Sequence, residues 1–288
     1  MSSTVTPTPV AATWPSVSHP VAELFQETWA LTRRLLIQLQ RRPATLVAGM
    51  IQPLMWLILF GALFQNAPAG FLSDGVNYAQ FLSAGIIVFT AFSGALNAGL
   101  PVMFDREFGF LNRFLVAPLV SRFSIVLAST IFITLLSLLQ TAAVMVTSYL
   151  LGGGLPGWSG LALVVGVVLL LVLGMTALSL GLTFSLPGHV ELLAVIFVVN
   201  LPLLFASTAL APLAFMPHWL QVIASLNPLS YAIEPIRYVY LHPDWQWSGV
   251  VMATPWGNLS LAGCLLILAL FDGLIIVSVR RALQRQLS

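Results

Sequence analysis

Asp105, Arg106, Glu107, Arg113 and Arg122 form an island of charge between two charge-free stretches, residues 75 to 104 and 123 to 190. Ionised side chains and unpaired backbone are costly in hydrocarbon, so a chain this apolar carries charge where it surfaces. What these residues offer is ion pairing and docking of a partner rather than bond breaking. The chain has no His-Glu-x-x-His and no Gly-x-Ser-x-Gly. His19, His189, His218 and His242 are scattered without metal-ligand spacing, so no metal site is expected. A nucleotide-hydrolysing P-loop needs a lysine to reach the phosphates, and all eleven basic residues are arginine. Asp272 lies inside an apolar run, eight residues before Arg280, or about 12 Å along a helix. It reads equally as a functional group, as a carboxyl hydrogen-bonded to a neighbouring helix, or as a protonated acid.

The elements that must position these residues follow from composition. Hydrophobic residues make up 59% of the 288 and charged residues 7%, with a mean hydropathy of +0.98. This is an all-α polytopic membrane protein by composition, and a net charge of +2 argues against nucleic acid as a partner. The single cysteine, Cys264, falls in a predicted span and excludes a disulfide within the chain. Residues 1 to 20 read as a disordered, Pro-rich tail without the basic start or apolar core of a signal peptide.

A helix crossing about 30 Å of hydrocarbon needs roughly 20 apolar residues. Six runs qualify, near 44 to 65, 78 to 103, 122 to 151, 160 to 186, 190 to 212 and 258 to 280. Ten of the eleven arginines then fall on one side, which places both termini in the cytoplasm. Arg237 is the exception, with Glu234 three residues before it and within pairing reach on a helix. Residues 21 to 43 mix apolar and arginine positions as an amphipathic helix does in the cytoplasmic membrane interface. The six-span domain proper is expected over 44 to 285. No internal repeat stands out, which weighs against a carrier built from inverted halves.

Within 104 to 118, helical spacing puts Phe104, Phe108, Leu111 and Leu115 on one face and sets Asp105, Arg106 and Arg113 largely elsewhere. A short cytoplasmic helix is predicted there, closed by Pro118, with an apolar ridge and charged flanks suited to a groove in another protein. Residues 213 to 237 are apolar but interrupted by Pro217, Pro228 and Pro235. They suit a helical hairpin re-entering the outer leaflet, with Asn227-Pro228 as its turn and Glu234 with Arg237 as a structural clasp. Gln52, Asn97 and Asn200 are polar positions inside predicted spans.

Arg106, Glu107, Gly109, Leu111 and Pro118, followed by Ser121-Arg122, resemble the cytoplasmic loop of type-2 ABC exporter permeases, the DrrB-like drug-resistance permeases in particular. Phe110 and Asn112 depart from that family's pattern. Pro217 and Trp219, then Asn227-Pro228-Leu229-Ser230-Tyr231, then Glu234 and Arg237, resemble the family's signature after its fifth span. The resemblance implies a coupling helix at Asp105, Arg106, Glu107, Phe108, Gly109, Leu111, Arg113 and Pro118, docked on a separate ABC ATPase subunit. That subunit would bind ATP and Mg, leaving this chain without cofactor or catalytic residues. It further implies a second permease copy, most simply a homodimer, and a substrate path favouring Gln52, Asn97 and Asn200. The expected role is export of an amphipathic or lipid-like substrate across a bacterial inner (plasma) membrane, with an internal bacterial or plastid membrane left open. A proton-coupled carrier using Asp272 and a non-transporting scaffold are the competing readings.

Overall fold

The computed structural model describes residues 20–64, 77–109 and 123–287. Two helices meet at Pro43, α1 (Pro20–Arg41) and α2 (Pro43–Leu63), the proline serving as a first-turn residue whose missing N–H costs nothing there. α1 turns buried Thr28 and Thr32 inward and leaves Phe25 and Trp29 exposed, an interfacial pattern. α2 is apolar all round and buries little beyond Pro53 and Leu57.

The second span is the axle of the bundle. α3 (Tyr78–Leu96) starts at Asn77, whose side chain accepts a hydrogen bond from the Ala79 N–H at 2.9 Å. Almost every residue of α3 is buried. A 3-10 turn at Asn97–Gly99 leads into α4 (Leu100–Glu107), so the apolar run continues over Tyr78–Glu107. Pro101 in the first turn of α4 cannot donate to the ladder, which accounts for the tightening ahead of it.

The remaining helices surround this axle. α5 (Phe123–Leu150) ends at a glycine run in which Gly152 and Gly154 adopt φ of +81 and +69, conformations open to glycine at little cost. α6 (Trp158–Ser185) and α7 (His189–Phe205) follow, then α8 (His218–Leu226) and α9 (Pro228–Leu241). A two-stranded antiparallel hairpin, β1 (Val250–Thr254) with β2 (Gly257–Ser260), precedes α10 (Leu261–Leu287). α3 packs against α2, α5, α6 and α9, and α10 lies along α6 and α9.

The structure adds detail to three expectations. Among the described residues five helices are long and apolar enough to cross a membrane, and the run expected at 190 to 212 is a helix of 17 residues, or about 26 Å. It stops at Phe205 because Pro202 removes a donor and Asn227 takes the carbonyls of Leu203 and Ala206, each at 2.7 Å. Of the helix expected at 104 to 118, residues 104 to 107 form the last turn of the second span. Gly109, with φ +74, closes that turn, and Leu111, Arg113 and Pro118 lie outside the described residues, as does the tail before residue 20. The helical architecture expected is present, with one short β-hairpin added at 250 to 260, which turns at Pro255-Trp256 and seats Met252 in the core.

Contacts at helix ends sort into two levels. Asn77 meets the Leu151 carbonyl, Tyr78 meets Leu210 and Trp245 meets Ser159 at one end. Arg34 meets Asp105, and Arg106 and Glu107 meet the α6–α7 turn, at the other.

Candidate functional site

The Glu107 end of the second span is built around consecutive residues of opposite charge. The Arg106 guanidinium donates to the carbonyls of Thr183 (2.6 Å), Leu186 (2.7 Å) and Pro187 (2.8 Å). These are the last carbonyls of α6 and its turn, left without helical partners and carrying the negative end of the helix dipole. Glu107 Oε1 accepts the His189 N–H at 2.6 Å, and Oε2 lies 2.5 Å from His189 Nδ1. His189 opens α7, and the residue before it, Gly188, has no side chain with which to cap. A carboxylate from another span therefore performs the capping.

Around this clasp, the Phe104 ring lies 5.2 Å from the His189 ring and 6.1 Å from that of Phe108. Phe108 is 69% exposed. Asp105 pairs with Arg34 of α1 at 3.7 Å, so α1 is tied to the same turn. One turn deeper, Ser179 and Thr183 of α6 repair the backbone broken by the 3-10 turn. Ser179 Oγ donates to the Leu96 carbonyl at 2.5 Å and accepts from the Gly99 N–H at 2.9 Å, while Thr183 Oγ1 donates to the Gly99 carbonyl at 3.1 Å. A Cβ on Gly99 would lie 2.7 Å from the Ser179 carbonyl oxygen, so only glycine fits this crossing.

The opposite end holds the second group of singled-out residues. Asn227 caps α9 by accepting from the Leu229 N–H at 2.9 Å while its amide holds the end of α7. Arg237 pairs with Glu234, donates to the Thr208 carbonyl at 2.6 Å and to Phe81 O at 3.4 Å, and stacks 3.7 Å over the Phe81 ring. The Tyr231 hydroxyl donates to the Ser225 carbonyl, while Trp219 is exposed and Pro217 forms the N-cap of α8. This group is a scaffold of satisfied polar contacts.

Of the three polar positions singled out inside the spans, two come together. Ser93 Oγ donates to Asn200 Oδ1 at 3.0 Å, and Asn97 Nδ2 donates to the Ser93 carbonyl at 2.7 Å, joining α3 to α7. Gln52 is exposed on α2 away from this link. Asp272 is buried against Gly174 of α6, and neither of its oxygens has a hydrogen-bond partner among the described residues. Among those residues no three of His, Cys, Asp and Glu gather as a metal ligand set. Sequence reasoning missed Ser93, Ser179, Thr183, Gly188 and His189. A Ser/Thr pair four residues apart in a span, able to face a glycine, was the available signal.

A bundle of apolar helices around one central span, with a charged turn at its end, defines a multi-pass membrane protein. Residues 26–241 match the ABC-2 type transporter family, and the chain belongs to it. It is 56% identical over 258 residues to the protein of Porphyra purpurea designated transport permease ycf38, covering 89% of each chain. The ycf38 protein of Cyanophora paradoxa is 53% identical over 257 residues, 88% of this chain and 89% of that one. DrrB1 of Streptomyces coeruleorubidus, a daunorubicin resistance ABC transporter permease protein, is 27% identical over 241 residues, 77% of this chain and 76% of that one. The chain is thus a transmembrane transport subunit of an ABC system, working with an ABC ATPase in which ATP hydrolysis resides.

Proposed function

We propose that this chain is the permease subunit of an ATP-driven exporter that moves an amphipathic or lipid-like substrate outward. The observation that carries the reading is the turn at 104 to 109. It leaves the Phe108 ring exposed at the end of a span, with its base tied to α1, α6 and α7. Such a turn presents an apolar knob to a partner while remaining firmly attached to the spans it must move. In this reading Asp105, Phe108, Gly109, Leu111, Arg113 and Pro118 face a separate ATPase subunit, which binds ATP and Mg, and Arg106 and Glu107 hold the base.

The sorting of helix-end contacts into two levels supports six crossings with both termini cytoplasmic, α7 serving as the fifth. His189 sits at the level of Glu107, while the far end of α7 meets Asn227. α8 and α9 then form a hairpin entering the outer leaflet, where Asn227 and Arg237 satisfy the backbone groups that lipid would leave unpaired. Sparse burial on α2 supports pairing with a second copy in a homodimer, and the Ser93–Asn97–Asn200 link is the polar element of the path. One relative's name refers to daunorubicin resistance, which supports outward movement. The membrane is a bacterial inner (plasma) membrane or its internal or plastid counterpart.

The test is copurification with an ABC ATPase and reconstitution into vesicles. Export predicts ATP-dependent movement of an amphipathic dye away from the ATPase side and a change in ATPase turnover on adding the permease. Absence of both refutes it. A proton-coupled carrier, suggested by the unpartnered carboxylate of Asp272, would instead move the dye under an imposed proton gradient without ATP.

A further inference from the structure

Arg106 and Glu107 are adjacent, opposite in charge, and each bound to the helix end whose dipole opposes its own charge. Three N–H groups of Arg106 are committed to carbonyls, and both oxygens of Glu107 are committed to His189. Turning either side chain away from the α6–α7 turn toward a partner protein would surrender charge-assisted hydrogen bonds already formed. The most exposed side chain at this turn is the Phe108 ring, while the Glu107 carboxylate, though accessible to solvent, is engaged with His189.

We propose that Arg106 and Glu107 are positioning residues that gear the α6–α7 turn to the cytoplasmic end of the second span. This rests on the reading of residues 104 to 118 as the segment the ATPase engages, and it assigns these two residues an inward role within that segment. Arg106 holds the end of α6 and Glu107 the start of α7, so the short link between those helices, Leu186 to Gly188, is held from both sides. Displacement of the turn is therefore delivered to α7 as movement of a whole helix. Without the clasp the link would flex and absorb it. α7 in turn carries Asn200, bonded to the axle through Ser93, so the transmitted motion reaches the polar element of the path.

Gly188 provides a test from outside the ATPase-facing segment. Its backbone is extended (φ −155, ψ 177), a conformation alanine adopts freely, and an added Cβ would lie 2.7 Å from Glu107 Oε1 and 3.0 Å from Glu191 Oε2. Both neighbours are ends of flexible side chains, so Gly188→Ala displaces the Glu107 carboxylate without breaking a helix. In the reconstituted permease–ATPase complex, ATPase affinity and dye moved per ATP hydrolysed are measured for wild type, Gly188→Ala and Glu107→Gln. The expected result is unchanged ATPase affinity in Gly188→Ala, with transport per ATP lowered roughly five- to tenfold, the low end of coupling between distinct sites. Glu107→Gln, which keeps an oxygen for the His189 N–H, is expected to fall between the two and gives the same readout if Gly188→Ala fails to fold. Wild-type transport per ATP in both variants overturns the clasp alone. So does ATPase affinity falling in step with transport in Gly188→Ala, which would make this a docking contact. A wild-type chain that binds no ATPase overturns both the clasp and the exporter reading.

Discussion

Replacing Arg237 should destabilise the protein more than almost any other single change, and about half of that loss should return when Glu234 is removed as well. The Arg237 and Glu234 side chains are 6% and 13% exposed, so the pair sits in a dry environment. Arg237→Met leaves the Glu234 carboxylate uncompensated, a cost of about 3 to 5 kcal/mol for a broken buried pair. It also orphans the Thr208 carbonyl, worth about 1 to 3 kcal/mol, and removes a cation from the face of Phe81, worth about 1 kcal/mol. These contributions overlap, because the pair and the carbonyl share one guanidinium, so the net expectation is about 4 kcal/mol. Arg237→Met with Glu234→Leu carries no stranded charge, and about 2 kcal/mol is expected, chiefly from Thr208. Denaturant unfolding of the detergent-solubilised protein, followed by tryptophan fluorescence across a double-mutant cycle, measures all four corners. A coupling energy of at least about 2 kcal/mol supports the clasp. Single-variant losses that simply add, within about 0.5 kcal/mol, would show that the two charges do not act as a pair and refute the reasoning.

Asn227→Ala should cost about 2 kcal/mol in the same assay, since it removes the cap of α9 and both donors to the end of α7. Ser179→Ala should cost about 1 to 2 kcal/mol by releasing the Leu96 carbonyl and the Gly99 N–H at the 3-10 turn, whereas Ser179→Thr should fail through crowding against Gly99. Asp272→Leu should leave stability unchanged or raise it, because neither oxygen has a partner among the described residues to lose. Asp272→Asn should retain ATP-driven transport, and its loss in a folded variant would give the carboxylate a role in the path.

The two termini of each break in the chain differ in how far residue order discloses them. The turn at Asn227-Pro228 and the glycine stop at 152 to 154 are local: the residues that set the backbone angles are those that occupy them. Glu234 and Arg237 are legible for the same reason, three residues apart on one helix. Glu107 and His189 stand 82 residues apart, and nothing in a hydropathy profile says which helix end a charge will find. The early end of α7 has the same origin, since its last carbonyls are taken by an amide more than twenty residues onward. Residues 104 to 107 form the last turn of the preceding span and Gly109 adopts positive φ, which a helical period alone does not disclose, while 110 to 118 lie outside the described residues. The hairpin at 250 to 260 follows Pro and Gly punctuation that was visible, but its single buried residue, Met252, left no alternating pattern to read.

Burial is distributed so that the second span alone is embedded on all sides, with 72% of its most apolar window buried, against 11% for α2 and 17% for α10. The axle is also fastened at both ends. At one end, the Phe81 carbonyl meets Arg237, Gln80 meets the Tyr240 carbonyl and the Tyr78 hydroxyl meets Leu210. At the other, Arg106 and Glu107 meet the α6–α7 turn. Its thirty residues reach about 45 Å, enough to cross the hydrocarbon and both interfaces. A load applied at Phe108 therefore meets a stiff member whose far end is bonded to α9, rather than a chain of loosely packed helices. The 3-10 turn at 97 to 99 is the exception to that stiffness, and Ser179 and Thr183 brace it from α6. Loosening that brace would let the two halves of the axle move separately. The Ser179→Ala variant consequently tests more than stability: if the axle transmits as one piece, transport per ATP falls while ATPase binding holds.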